Sequence, residues 1–259
     1  MKNSTYKIYK KSLSINSSNS LFKHFVKVCS FFSPKDFEKK NFRNWDDKNL
    51  AEILVKIRKN KKLFSNIYKT LQISNELQKI IVLNKLQNIA SDFLKIDSKY
   101  LTVRNAQLRI DPPNDQRNVY GWHQDNAYYD YNIQSKNGAV LWIPLISTNK
   151  KNGTLVVKLG SENNSIHCSS RIKSKSKFKS EQILVKPEIL KRYKSKHVDV
   201  NKNDALVIHA GTFHKSGNNT SNKVRFSIIV RFNNIFSKDF IYYRDINSSK
   251  SIKEYKLEK

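Results

Sequence analysis

Gly121-Trp122-His123-Gln124-Asp125 is the stretch on which the architecture of this chain turns. In an extended strand, side chains two apart point to the same face. His123 and Asp125 would then meet at one point, with Trp122 and Gln124 facing the other way. One imidazole and one carboxylate on a shared face are two parts of a metal-binding triad that needs a second histidine.

Working outward, short β-like runs separated by turn residues follow Tyr100. They cover 101–110, 119–125, 139–144, 154–159, 197–200, 205–209 and 224–232. Successive short strands without intervening helices predict a sandwich or barrel. Upstream the period is helical. Leu50, Ile53, Leu54 and Ile57 recur at three- and four-residue spacing, continued by Leu63, Ile67 and Leu71, and Asp46 or Asp47 could cap the start. A second helix is expected after Ser74, through Leu77, Ile80, Ile81, Leu83, Leu86, Ile89, Phe93 and Leu94. The expected class is mainly β with flanking α-helices. The expected division is a helical region over 1–100, a β core over 101–235 and a charged tail over 236–259. The long polar segment 161–196, apart from Ile183 to Val185, reads either as a lid or binding loop inserted between strands or as a plain surface loop.

Two histidines downstream suit the third metal position. His209 ends the apolar run from Ala205, and His214 opens His214-Lys215-Ser216-Gly217. In the strand that follows, Arg225, Ser227 and Ile229 share a face. An arginine inside a barrel needs an anion, because an unpaired buried charge is costly. A carboxylate gripped by the guanidinium fork would supply it.

These segments together resemble the phytanoyl-CoA dioxygenase family of iron(II)- and 2-oxoglutarate-dependent oxygenases. Trp122-His123-Gln124-Asp125 is similar to that family's first metal motif, and Leu141 to Leu145 to its following core strand. Asn152-Gly153-Thr154-Leu155 and Leu159-Gly160-Ser161 resemble its next strand and turn. Asn203 to His209 and His214 to Asn219 resemble its closing metal motif, and Val224-Arg225-Phe226-Ser227 its co-substrate strand. The likeness covers roughly residues 100–233. Two departures are visible: Glu162 follows Gly160-Ser161 where the family usually has histidine, and Asn203-Asp204 stands for a common Gly-Asp turn.

The resemblance implies a double-stranded β-helix, or jelly roll, of cupin-like type. It implies iron(II) on His123, Asp125 and His214, with 2-oxoglutarate and dioxygen as co-substrates. It further implies that Arg225 pairs with the far carboxylate of 2-oxoglutarate, assisted by Ser216, with Gln107 touching 2-oxoglutarate or substrate. The expected reaction is hydroxylation of an aliphatic carbon in a small or carrier-linked metabolite. Presence of Asp125 disfavours the halogenating variant of this chemistry.

Composition sets the alternatives. Lys and Arg number 49 against 21 Asp and Glu, a formal charge of +28 over 259 residues. The lysines are spread along nearly the whole chain, which reads as a solvated surface. The denser cluster Arg171, Lys173, Lys175, Lys177 and Lys179 contains one aromatic, Phe178, and is a poor platform for stacking bases. A nucleic-acid-binding protein and a non-catalytic jelly-roll binding module are the rival readings. The charge permits an anionic small-molecule substrate without selecting one. Cys29 and Cys168 have no paired-ligand spacing, which points to a reducing cytoplasm. No apolar run approaches the ~18 residues that span a bilayer. His24, His167 and His197 lack partners at ligand spacing. Tyr128, Tyr129 and Tyr131 follow the metal motif closely enough to line a substrate entrance or to pack in the core.

Overall fold

The computed structural model describes residues 5–38, 40–103, 106–127, 137–162, 170–172, 182–237 and 240. The chain starts with strand β1 (Tyr6–Tyr9) and helix α1 (Ile15–Phe32), then the short α2 (Pro34–Phe37). Helices α3 (Lys48–Lys59), α4 (Lys61–Ile73), α5 (Asn75–Leu83) and α6 (Leu86–Leu94) follow. Beyond Tyr100 come β2 (Leu101–Val103), β3 (Gln107–Asp111), β4 (Gly138–Pro144), β5 (Leu155–Lys158), β6 (Ser170–Ile172) and β7 (Gln182–Leu184). Helix α7 (Pro187–Leu190) leads to β8 (Ser195–His197), β9 (Ala205–His209), β10 (His214–Ser216) and β11 (Arg225–Asn234).

The helices begin where side chains can accept the first unsatisfied amides. Ser14 accepts from Ser17 N, Asp47 from both Asn49 N and Leu50 N, and Ser74 from Leu77 N. Each such cap contributes about 1 kcal/mol. Asn60 ends α3 and caps α4 through Leu63 N, so the single helix expected from residue 47 is two. The second expected helix also divides. Asn84 closes α5, and Lys85 takes a left-handed conformation (φ 49°) before α6. A side chain other than glycine pays for that conformation, and it re-aims the chain.

Antiparallel pairing builds a six-stranded sheet in the order β1-β9-β4-β11-β2, with β3 also on β11. A three-stranded sheet, β10-β5-β8, faces it. β6 pairs with β7 apart from both. These are the two leaves of a jelly roll, mainly antiparallel with flanking helices, and neither is a closed ring. Alternation along the strands separates two cores. Leu141, Ile143, Val207, Phe226, Ile228, Val230 and Phe232 pack outward beneath Leu21, Phe25, Leu50, Leu54 and Ile67 of the helices. Val140, Trp142, Leu206 and Ile208 face inward onto Leu155, Val157, Val198 and Val200 of the smaller sheet. With both faces covered, every residue of β4 is buried. Trp45 joins the layers at 4.8 Å from Phe226 and about 5 Å from Phe22 and Phe25.

The stretch 119–125 departs from expectation. Only His123 pairs as a bridge, with His214, and the chain then enters a 3-10 turn at Asp125. The ladder is replaced by a side-chain amide. Gln182 Oε1 accepts from Gly121 N, Gln182 Nε2 donates to Val119 O, and Val185 N donates to Trp122 O. Residues 182–185 therefore lie against the Trp122 motif. The lysine cluster over 173–179, His167, Cys168 and Tyr128, Tyr129 and Tyr131 lie outside the described residues.

Candidate metal centre

His123 and His214 are a hydrogen-bonded antiparallel pair: each backbone amide donates to the other's carbonyl, at 2.9 and 3.0 Å. Directly opposed residues put their side chains on one face, and the imidazole centroids are 4.2 Å apart. Asp125 joins them through the turn. Its position is held by neighbours that reach the 210–211 segment, with Gln124 Nε2 donating to Gly211 O and Asn126 N to Ala210 O. One ligand atom from each of the three lies within 4.8 Å of the others, and all three residues are buried.

Each imidazole has one nitrogen tied to backbone. His123 Nδ1 is 2.8 Å from Gly121 O, and His214 Nδ1 is 2.9 Å from Thr212 O. A carbonyl can only accept, so each Nδ1 carries a proton, which leaves Nε2 as the nitrogen able to bind a metal. Both Nε2 atoms face Asp125 Oδ1, at 3.6 Å from His123 and 3.8 Å from His214. Ligand bonds of about 2.1 Å at right angles would place neighbouring donors about 3 Å apart. The two Nε2–Oδ1 gaps would each close by less than about 1 Å around a cation. Two imidazoles and one carboxylate on one side, each imidazole oriented through its Nδ1, suit iron(II) with open positions. The site can hold iron.

Electrostatics agree with that donor set. Burial opposes a charge on Asp125, but the Arg231 guanidinium outweighs it and holds the carboxyl well below its ordinary range. Burial, and then the neighbouring His123, push the His214 imidazole down to about 4, which keeps it neutral as a ligand must be. His209, the alternative histidine, ends β9; its Nδ1 accepts from Gly211 N, and it stands outside the cluster.

Arg225 is buried and opens β11, directly opposite Asp111 of β3. Its anion is a carboxylate of the chain itself: Nη2 and Nε donate to Asp111 Oδ2, at 2.9 and 3.3 Å. Nη1 donates to the carbonyls of Gly153 and Gly217. Asp111 also receives Arg109 Nη2 at 3.3 Å. Burial works against the Asp111 charge, but the two guanidiniums keep its carboxyl below the ordinary range. The glycines make the nook: a Cβ on Gly153, whose φ is +86°, would sit 2.6 Å from Arg225 Nη1. Ser227 Oγ, on the same face of β11, is buried with no hydrogen-bond partner. Ser216 exchanges backbone and hydroxyl contacts with Tyr120, at 3.1 Å (Ser216 N to Tyr120 O) and 3.4 Å (Tyr120 N to Ser216 Oγ). Gln107 Oε1 accepts from Arg231 Nη1 at 3.0 Å.

Arg231 was not among the residues singled out from sequence. Its Nε donates to Asp125 Oδ2 at 2.7 Å, so it touches the triad directly. Continuing the alternation Arg225, Ser227, Ile229 by one step reaches it. Asp111 follows in the same way from Gln107 on β3.

The sequence pattern that defines the family described as Phytanoyl-CoA dioxygenase (PhyH) matches residues 25–227. No curated protein matches the chain significantly. Among solved structures, EctD from S. alaskensis with 2-oxoglutarate and 5-hydroxyectoine aligns at TM-score 0.56 and 13% identity, over 90% of this chain and 73% of that one. The non-heme alpha ketoglutarate dependent carbocyclase SnoK from nogalamycin biosynthesis aligns at 0.55 and 14%, over 96% and 87%. EvdO2 from Micromonospora carbonacea var. aurantiaca is 21% identical at TM-score 0.49; the alignment covers 63% of this chain and 62% of EvdO2, under two thirds of its length. At such identities these likenesses concern the fold. The match to the family pattern runs from α1 into β11 and takes in the whole cluster, and the chain belongs to the phytanoyl-CoA dioxygenase family.

Proposed function

We propose that the protein is an iron(II)- and 2-oxoglutarate-dependent dioxygenase that hydroxylates an aliphatic carbon of a small or carrier-linked metabolite. The observation that carries this reading is the convergence of two imidazole Nε2 atoms on Asp125 Oδ1, with each Nδ1 locked to a backbone carbonyl. Iron(II) held by His123, Asp125 and His214 would supply reductive activation of dioxygen coupled to decarboxylation of the 2-oxo acid. The chain supplies the rest. The backbone carbonyls of Gly121 and Thr212 orient both imidazoles through Nδ1. Burial excludes water around the donors. Arg225 offers the distal carboxylate of 2-oxoglutarate a guanidinium that Asp111 now occupies, so co-substrate binding would share or displace that contact. Ser216 and Gln107 complete the proposed co-substrate surroundings.

The overall balance is substrate C–H, dioxygen and 2-oxoglutarate giving C–OH, succinate and carbon dioxide. The same triad and co-substrate would serve other oxidative outcomes, and aliphatic hydroxylation is the one proposed. An anionic substrate fits the +28 charge. Residues 1–100 would act as a packing region, 101–235 as the catalytic core completed by β1, and 236–259 as a tail. No helix among the described residues is long and apolar enough to cross a membrane. The free, buried thiol of Cys29 accords with the proposed reducing cytoplasm.

The test is succinate release with iron(II), 2-oxoglutarate and a panel of aliphatic acids, acyl thioesters and phosphorylated metabolites. Substrate-stimulated succinate, lost in His123→Ala and Asp125→Ala, is expected. Variants matching the wild type would reject the assignment. Iron binding without turnover across the panel would favour a binding module.

A further inference from the structure

We infer that Arg231 is a positioning residue that keeps Asp125 a one-oxygen ligand and so preserves the open positions the co-substrates need. This rests on the iron reading above and deepens it. The two oxygens of Asp125 are divided between partners. Oδ1 faces both histidine Nε2 atoms, and Oδ2 accepts Arg231 Nε at 2.7 Å. A charge-assisted bond of that length is among the stronger polar contacts available to a carboxylate. The guanidinium is itself aimed. Arg231 lies in β11 opposite Val140 of β4, and its Nη1 donates to Gln107 Oε1 at 3.0 Å. Asp125 is buried, whereas the Arg231 side chain is 32% exposed.

The consequence is one of counting. A triad giving one atom from each residue leaves three positions open. A 2-oxo acid chelating through two atoms and dioxygen together need all three. A carboxylate that also turned Oδ2 onto the metal would take one of them. A contact that merely orients a ligand behaves differently when removed: metal affinity falls, typically 10–100-fold. Here removal frees an oxygen that can itself bind, so metal affinity should be held while co-substrate binding suffers.

The experiment compares wild type, Arg231→Met and Arg231→Lys as full-length proteins without oxygen. Metal affinity is read with iron(II) and cobalt(II). Co-substrate affinity is read from the visible charge-transfer absorption of the iron(II)–2-oxo acid chelate. In Arg231→Met, iron affinity within about threefold of wild type and 2-oxoglutarate affinity at least about tenfold weaker are expected. The visible spectrum of the cobalt(II) protein should change without any co-substrate present, which rules out a direct Arg231 contact with 2-oxoglutarate as the sole cause. Arg231→Lys keeps one donor and should recover most of the co-substrate affinity; it also serves as the test variant if the methionine protein does not fold. Unchanged cobalt spectra, unchanged co-substrate affinity, or metal and co-substrate affinities falling by the same factor would each overturn the inference. Failure of the wild type to bind iron would instead remove the oxygenase reading beneath it.

Discussion

Replacing Asp111 by asparagine tests the buried charge network around Arg225. Asp111 is the carboxylate between Arg109 and Arg225, and the Asp111 and Arg225 side chains are 7% and 5% exposed. Asparagine keeps the shape and one acceptor oxygen but removes the charge that both guanidiniums face. Deleting one partner of a buried pair typically costs about 3–5 kcal/mol, since the other charge is left uncompensated. Arg225 retains the Gly153 and Gly217 carbonyls, which places the expected loss near the lower end, about 3 kcal/mol. For a domain of this size that is roughly 6–12 °C in Tm. Urea unfolding at pH 7, followed by circular dichroism, should show a lower midpoint with an unchanged slope. A ligand at a hundredfold its Kd returns about 2.7 kcal/mol. If 2-oxoglutarate uses Arg225, manganese plus 2-oxoglutarate should raise the variant's Tm more than the wild type's. A loss below about 1 kcal/mol would refute the view that Asp111 is the principal counter-charge of Arg225, because a neutral hydrogen bond alone is worth that much.

Acid should weaken a second pair by a defined amount. Burial would raise the Asp115 carboxyl, but hydrogen bonds from Arg117 and Arg58 outweigh it and bring the group down to about 2. A folded value below the unfolded one gives stability that is full above pH 4 and lost as pH falls toward 2, about 2 kcal/mol in all; Arg58→Ala should flatten that part of the stability–pH curve measured by urea titration. Gly153→Ala and Gly160→Ala separate backbone strain from collision, since φ is +86° and +81° but only Gly153 would press its Cβ onto Arg225 and Gly217. Gly160→Ala should cost about 1–2 kcal/mol and Gly153→Ala distinctly more; equal losses in denaturant melts would show that the Arg225 nook has room to spare.

The triad was legible because ligand chemistry narrows the choice of residue types so sharply. Its convergence does not come from a shared strand face: His123 and Asp125 meet through one bridge and a 3-10 turn. The central strands were readable because β4, β9 and β11 carry apolar runs that no helix period explains. β1 escaped notice since four residues, Tyr6 to Tyr9, hold too little pattern and its partner is remote in sequence. Helix α1 had a usable signal in Leu21, Phe22, Phe25 and Cys29, spaced as one buried stripe, but its polar beginning hid the start. The splits at Asn60 and Lys85 depend on capping and one left-handed residue, which apolar periodicity does not report. Arg225 illustrates the limit of local reasoning. Its need for an anion was evident, but that Asp111 already meets it follows only from the register of β3 against β11.

The pairing of Tyr6–Tyr9 with Ala205–Ile208 carries a cost during synthesis. Tyr6–Tyr9 are made long before Ala205–Ile208 and must wait for them before their backbone groups find a mate. Until then the β9 border is also bare, and bare borders recruit strands from other molecules. A clone lacking Tyr6–Tyr9 should therefore clump on expression even with His123, Asp125 and His214 in place, and any fusion partner is better attached where it leaves that strand free to close the seam.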